Sequence, residues 1–186
     1  MHATLCDLMM DLVQNSVEAN ATEIELTLTQ AQGKVEFSVK DNGNGMSKET
    51  QDKAVDPFYS DGKKHAHRRV GLGLPFLLQT ADAVGGKATI LSEEGRGTLI
   101  QFCAEAKHVD LPPVGNVASA ATMMLSQPLA GDLKIVRSTD VDSYTLTRGM
   151  LADVLGDLND AQNLTLMKTY IESQEENLEK TGTSYE

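Results

Sequence analysis

The chain of 186 residues contains no tryptophan, four phenylalanines, four tyrosines, five prolines and two cysteines. The cysteines, Cys6 and Cys103, lie in apolar stretches without CxxC spacing, which argues against a zinc ribbon or a disulfide framework. Both are expected to be buried thiols of a reducing compartment. No apolar run approaches the roughly 20 residues that a membrane-spanning helix needs, and no basic-then-apolar leader opens the sequence. The expectation is a cytoplasmic protein with no membrane partner. Positive charge is also scarce: 16 Lys and Arg stand against 27 Asp and Glu, for a net charge of −11. That balance excludes a broad basic face and, with it, a nucleic-acid partner.

What is present is enough for a real core, since 40% of the residues are hydrophobic. Residues 3 to 19 place Leu5, Leu8, Met9, Leu12, Val13 and Val17 at helical spacing, with Asp7, Asp11, Asn15 and Glu18 on the other stripe. Glu23 to Thr29 then alternates, as do Val35, Phe37 and Val39 after Gly33, the pattern of an antiparallel hairpin. A second helix runs from Gly73 to Val84 and stops at Gly85-Gly86. Two further strands, Ala88 to Ser92 and Thr98 to Ala104, flank the turn at Glu94 to Gly97. The order predicts a mostly antiparallel sheet with helices on one face. Beyond Leu111-Pro-Pro113 the pattern gives a helix near Asn116 to Leu125, strands at Leu133 to Arg137 and Ser143 to Thr147, and a polar helix from about Leu164 to Glu179. The stretch from Gln174 to Glu186 is highly polar, and its end is expected to be frayed or disordered. The Met123-Met124 pair reads as core, and Asp140-Val-Asp142 as a turn.

Three separated patches carry chemistry. Asp11 and Asn15 are spaced i, i+4, so a carboxylate and an amide converge on one volume. The amide oxygen suits a hard ion such as Mg²⁺, and the carboxylate one turn away suits the orientation of a water. In Asp41-Asn-Gly-Asn-Gly45-Met46, Asp41 ends a strand and can accept from an exocyclic amine. Gly43 and Gly45 there remove Cβ atoms where a flat ring could lie against backbone. Val70-Gly-Leu-Gly-Leu74 opens a helix whose free N–H groups favour phosphate, and it follows a basic loop holding Lys63, Lys64, His65, His67, Arg68 and Arg69.

These patches, together with Asp56-Pro-Phe-Tyr-Ser60 and Gly97-Thr98, resemble the motif series of the GHKL superfamily, the ATPase fold shared by gyrase, a heat-shock chaperone, histidine kinases and MutL. The resemblance covers roughly residues 3 to 106. It implies an α/β two-layer sandwich, the Bergerat fold: a mixed, mostly antiparallel sheet with helices on one face, here with a small C-terminal α/β extension. The expected division is residues 1–106 as the ATP-binding domain and 107–186 as the extension.

By position, the resemblance implies that Asn15 is the Mg²⁺ ligand, Asp11 stands at the general-base place, and Asp41, assisted by Thr98, reads the adenine amine. It further implies ATP contacts from Gly43, Gly45 and Met46, from Lys63, Lys64, Arg68 and Arg69 of a lid, and from Val70, Gly71, Leu72, Gly73 and Leu74. Two residues depart from the pattern. Asp11 is one methylene shorter than the usual glutamate, and Arg69 stands where histidine kinases often carry a first glycine.

Over its whole length, including His108-Val-Asp-Leu-Pro-Pro-Val-Gly-Asn116, the chain also resembles small stand-alone bacterial ATP-binding proteins related to histidine kinases and anti-sigma kinases. Only Met1 and His2 precede the Asp11 helix, so a phosphoacceptor hairpin is not expected in this chain. The resemblance implies an Mg-ATP-binding regulatory protein, a nucleotide-gated switch or slow ATPase, with ATP or ADP and an unidentified protein as partners. The alternative is a kinase that phosphorylates a partner in trans.

Overall fold

A computed structural model describes residues 4–54 and 73–180. In chain order the elements are α1 (Leu5–Glu18), β1 (Glu23–Ala31), β2 (Lys34–Asp41), α2 (Lys48–Ala54), α3 (Gly73–Ala83), β3 (Lys87–Glu93), β4 (Gly97–Glu105), α4 (Val117–Ser126), β5 (Asp132–Thr139), β6 (Ser143–Thr147), α5 (Arg148–Leu155) and α6 (Ala161–Lys180). The six strands form one sheet in the order β3-β4-β2-β1-β5-β6. Every neighbouring pair is antiparallel except β1 and β5, which run parallel and join the extension to the sheet.

Strand alternation decides which face is covered. Ile24, Leu26 and Leu28 of β1, Val35, Phe37 and Val39 of β2, and Ile100, Phe102 and Ala104 of β4 all point into one core. The same core takes Leu5, Leu8, Met9, Leu12 and Val13 of α1, Leu74, Leu77 and Ala81 of α3, Leu125 of α4, and Met167 and Ile171 of α6. Each fully buried aliphatic side chain contributes about 2 kcal/mol of burial before the entropy of ordering is counted. The other face carries Thr27, Ser38, Thr89 and Gln101, so it is polar.

The start of α1 is fixed by sequence and by the extension together. Thr4 caps it: its hydroxyl accepts from Asp7 N–H at 3.1 Å, and the Asp7 carboxylate accepts from Thr4 N–H at 2.9 Å. Two further first-turn donors, the N–H groups of Leu5 and Cys6, bond the carbonyls of Pro113 and Val114 at 2.9 Å each. The proline-rich segment therefore braces the helix that carries Asp11 and Asn15. At the other end Asn20 takes a left-handed conformation (φ 59°), which turns the chain into β1.

Several expectations need correction. Cys6 is buried, but Cys103 faces the open side of the sheet and is partly exposed, its thiol donating to Glu36 at 3.1 Å. It alternates with the inward Phe102 and Ala104, so strand parity turns it out despite its apolar neighbours. The last helix is longer than its expected span of about Leu164 to Glu179: α6 runs from Ala161 to Lys180, and Leu178 is buried, while the end of the polar stretch lies outside the described residues. Met124 is core whereas Met123 is exposed. Two helices carried no periodic signal. α2 buries no residue and starts at Ser47, whose hydroxyl accepts from Thr50 N–H at 3.2 Å. α5 is capped by Thr147 and ends at Gly156 with φ 81°. No helix among the described residues is long and apolar enough to cross a membrane.

Candidate functional site

Inward alternation along β2 runs Val35, Phe37, Val39 and then Asp41, so the fourth inward position brings a carboxylate to the edge of the core. A buried charge is tolerable only with donors around it. Asp41 has three. Its Oδ2 accepts from the Ser16 hydroxyl at 2.7 Å, and its Oδ1 accepts from the N–H groups of Gly43 at 2.9 Å and Thr98 at 3.2 Å. Asp41 is 8% exposed and Ser16 3%, so neither pair is diluted by water. The result is a carboxylate fixed in orientation, with lone pairs left to accept from a ligand.

The chain after Asp41 is shaped to leave that carboxylate accessible. Asn42 turns away and accepts with Oδ1 from the N–H groups of Thr22 and Glu23, both at 2.9 Å, which ties the loop to the start of β1. Gly45 has φ 60°, and a Cβ there would lie 1.9 Å from the Glu93 carbonyl oxygen. No other residue fits without moving the β3–β4 turn. Met46 N–H donates to the Ser92 hydroxyl at 2.8 Å, and Gln51 of α2 bonds the carbonyls of Met46 and Ser92 at 3.1 and 2.8 Å. A cavity of about 370 Å³ borders these residues, with Asp41, Gln51, Ser92, Gly97 and Thr98 in its lining.

Asp11 and Asn15 lie one turn apart on α1, immediately before the Ser16 that holds Asp41. The first residue of α3 meets them from the other side: a Cβ on Gly73 would stand 2.4 Å from Asp11 Oδ2. Leu74 is buried in the core, which anchors the first turn of α3. Asp11, Asn15, Asp41, Gly43, Gly45, Met46, Gly73, Leu74 and Thr98 are thus on four neighbouring segments. Lys63, Lys64, Arg68, Arg69, Val70, Gly71 and Leu72 lie outside the described residues.

Residues 2–108 match the family model described as histidine kinase-, DNA gyrase B-, and HSP90-like ATPase. The chain belongs to this ATPase family. Sporulation kinase C of Bacillus subtilis is 33% identical over 105 residues, which are 55% of this chain and 24% of that kinase. Sensor protein CiaH of Streptococcus pneumoniae is 31% identical over 101 residues, 52% of this chain and 23% of CiaH. The chain therefore spans about a quarter of the length of these sensor kinases. Among solved structures, the catalytic domain of histidine kinase ThkA is 29% identical, with a TM-score of 0.41, over 53% of this chain and 64% of that one. The N-terminal domain of a DNA repair protein is 14% identical but has a TM-score of 0.56, over 88% of this chain and 59% of that one. That likeness is one of fold, and it takes in most of the extension as well as the ATPase-family core.

Two residues of this ATPase-family site escaped sequence reasoning. Ser16 sits four residues after Leu12 and three after Val13, on the buried stripe of α1, where a hydroxyl needs a partner. That position was a usable signal. Ser92 occupies the inward register of β3 opposite Thr98, which only the β3–β4 pairing reveals.

Proposed function

We propose that this chain binds Mg-ATP and acts as a nucleotide-gated switch or slow ATPase. The observation that carries the reading is the buried Asp41 carboxylate, its two oxygens oriented by Ser16, Gly43 and Thr98 beside the helix that bears Asn15 and Asp11. An acceptor-only group held this way suits an exocyclic amine such as that of adenine.

The donor set also fits magnesium. Asn15 is half-buried, and among the described residues its carboxamide takes no hydrogen bond, so its oxygen is free to act as one hard ligand beside waters and phosphate oxygens. Among the described residues no cluster of three acidic, histidine or cysteine side chains offers a rival metal site. Magnesium, when bound, would neutralise phosphate charge. Asp11 has the place to orient a water, but its carboxylate lies against the start of α3 and is one methylene short, which favours slow turnover.

The reading is tested by calorimetric titration of ATP and GTP with Mg²⁺. ATP is expected to bind and GTP to bind at least about tenfold more weakly, a difference of about 1.4 kcal/mol. Equal affinities would remove the adenine assignment. The second reading, a kinase acting on a partner in trans, draws on the similarity to sensor kinases. Labelled γ-phosphate would distinguish the two: release as free phosphate supports the first, and transfer to a co-purified protein supports the second.

A further inference from the structure

Ser92 lies on β3 with its hydroxyl among three partners. Its Oγ is 2.8 Å from Met46 N, 3.1 Å from Gly97 O and 2.9 Å from Thr98 Oγ1. Met46 N–H can only donate, so Ser92 Oγ accepts there. The Gly97 carbonyl can only accept, so in that bond Ser92 is the donor and spends its single proton. All three bonds coexist only when Thr98 donates its proton to Ser92, and in that arrangement Thr98 leaves only lone pairs toward the cavity that both residues line. The same Thr98 gives its backbone N–H to Asp41 Oδ1 at 3.2 Å. Its main-chain and side-chain donors are thus both occupied within the protein.

We propose that Ser92 is a specificity-determining residue of this pocket, which by taking the Thr98 proton makes the wall beside Asp41 an acceptor and selects a purine with a 6-amino group against one with a 6-oxo group. The proposal rests on the nucleotide reading above and adds the residue that sets the polarity of the base edge. Asp41 by itself accepts one amine proton. A Thr98 oxygen held as an acceptor welcomes an amine or a water that donates, and it offers nothing to a carbonyl oxygen. Ser92 acts through Thr98 and is a positioning residue. Its main chain is itself held, because Gln51 Nε2 donates to the Ser92 carbonyl at 2.8 Å.

The test compares ATP with inosine triphosphate, which carries an oxygen in place of the 6-amino group, by calorimetry on the full chain. Four proteins are needed: unmutated, Ser92→Ala, Thr98→Val and the double variant. Ser92→Ala frees the Thr98 hydroxyl to donate into the cavity, so the ATP preference is expected to fall about fivefold, the worth of one neutral hydrogen bond. In the Thr98→Val background the same substitution is expected to leave the preference unchanged within about twofold, because the group through which it acts is gone. A merely structural role would lower both affinities together and keep their ratio.

An unchanged ratio in Ser92→Ala, or an equal change in both backgrounds, would overturn the role of Ser92 while leaving ATP binding intact. Failure of the unmutated protein to bind either nucleotide would instead overturn the nucleotide reading and this inference with it. If Ser92→Ala does not fold by circular dichroism, Thr98→Ser and Thr98→Val decide the matter. The serine variant should keep the ATP preference and the valine variant lower it about fivefold, and equal ratios in the two would refute the proposal.

Discussion

Replacing Asp41 with asparagine separates the fold from the ligand, because the structure shows how the amide would be received. The Asn side-chain oxygen can keep the bonds from Gly43 N–H and Thr98 N–H, now at 2.9 and 3.2 Å. Its NH₂ group would then face Ser16 Oγ, now 2.7 Å from the carboxylate; the hydroxyl can accept while its own proton turns to the Leu12 carbonyl at 3.4 Å. The protein should therefore lose only about 1 kcal/mol of stability, the difference between charged and neutral hydrogen bonds. The ligand loses more. An exocyclic amine would meet a donor where a charged acceptor stood, and a hydrogen bond to a charged group is worth about 1.5–3 kcal/mol. ATP affinity should fall roughly 10- to 150-fold, with the melting temperature lowered by only a few degrees. Calorimetry and thermal unfolding on the same preparation measure both. An affinity loss under about threefold in a folded Asp41→Asn protein would show that this carboxylate does not read the base, whatever its role in holding the β2 end.

Asn15→Ala should abolish most of the difference in ATP affinity between Mg²⁺ and EDTA, and an undiminished difference in the variant would remove Asn15 as a metal ligand. Gly45→Ala should destabilise the fold by more than about 2 kcal/mol, since the new Cβ would meet the Glu93 carbonyl at 1.9 Å in a left-handed conformation; denaturant titration measures it. Arg137 pairs with Glu175 at 3.3 Å on the covered side of the sheet, so Arg137→Met, which leaves the Glu175 carboxylate without its cation, with Tyr144 as its remaining donor, and strips the Gln30 amide oxygen of its bond from Arg137, should cost about 3 kcal/mol by the same titration. Burial pushes the Cys6 thiol from 9.0 up to about 11, so a thiol reagent at neutral pH should modify Cys103 first and Cys6 only on unfolding. Because that folded value is raised, the unfolded chain releases its thiol proton first, and stability should decline as pH rises from 9.0 toward about 11; in Cys6→Ala this part of the decline should vanish.

Much of the core was legible because its period matched its environment. The stripe of Leu5, Leu8, Leu12 and Val13 and the alternation of Ile24, Leu26 and Leu28 needed no knowledge of their partners. α2 was illegible for the opposite reason. Lys48-Glu-Thr-Gln-Asp-Lys-Ala54 has no apolar face, and its helix rests on a Ser47 cap, on exposed i, i+4 pairs such as Lys48–Asp52, and on the tether from Gln51. The site divides in the same way. Asp41 was visible as a carboxylate at the end of an alternating strand, whereas the meeting of Asp41 with Thr98, and of Thr98 with the Ser92 hydroxyl, depends on the pairing of β4 with β2 and β3. A one-residue slip of β3 against β4 would turn Ser92 to the open face, and what prevents it is the short turn between Glu93 and Gly97.

The segment from His108 to Asn116 carried a resemblance but no chemistry, and its backbone explains why its side chains were uninformative. What it supplies is two carbonyls, those of Pro113 and Val114, to the first N–H groups of α1. Pro112 and Pro113 restrict the chain to an extended path in which those carbonyls face the helix. Three turns later the same helix presents Asn15 and Ser16, so a rigid start to α1 fixes the height at which the Ser16 hydroxyl meets Asp41. The extension is held in turn by α4 packing on α1 and α6, and by β5 pairing parallel to β1. It follows that substitutions which loosen α6, Arg137→Met among them, should reach the Asp41 pocket through the seating of α1 rather than through any direct contact. Hydrogen exchange tests this: the amides of residues 12–18 should lose protection in Arg137→Met, and if only α6 and β5 respond, α1 is seated independently of the extension.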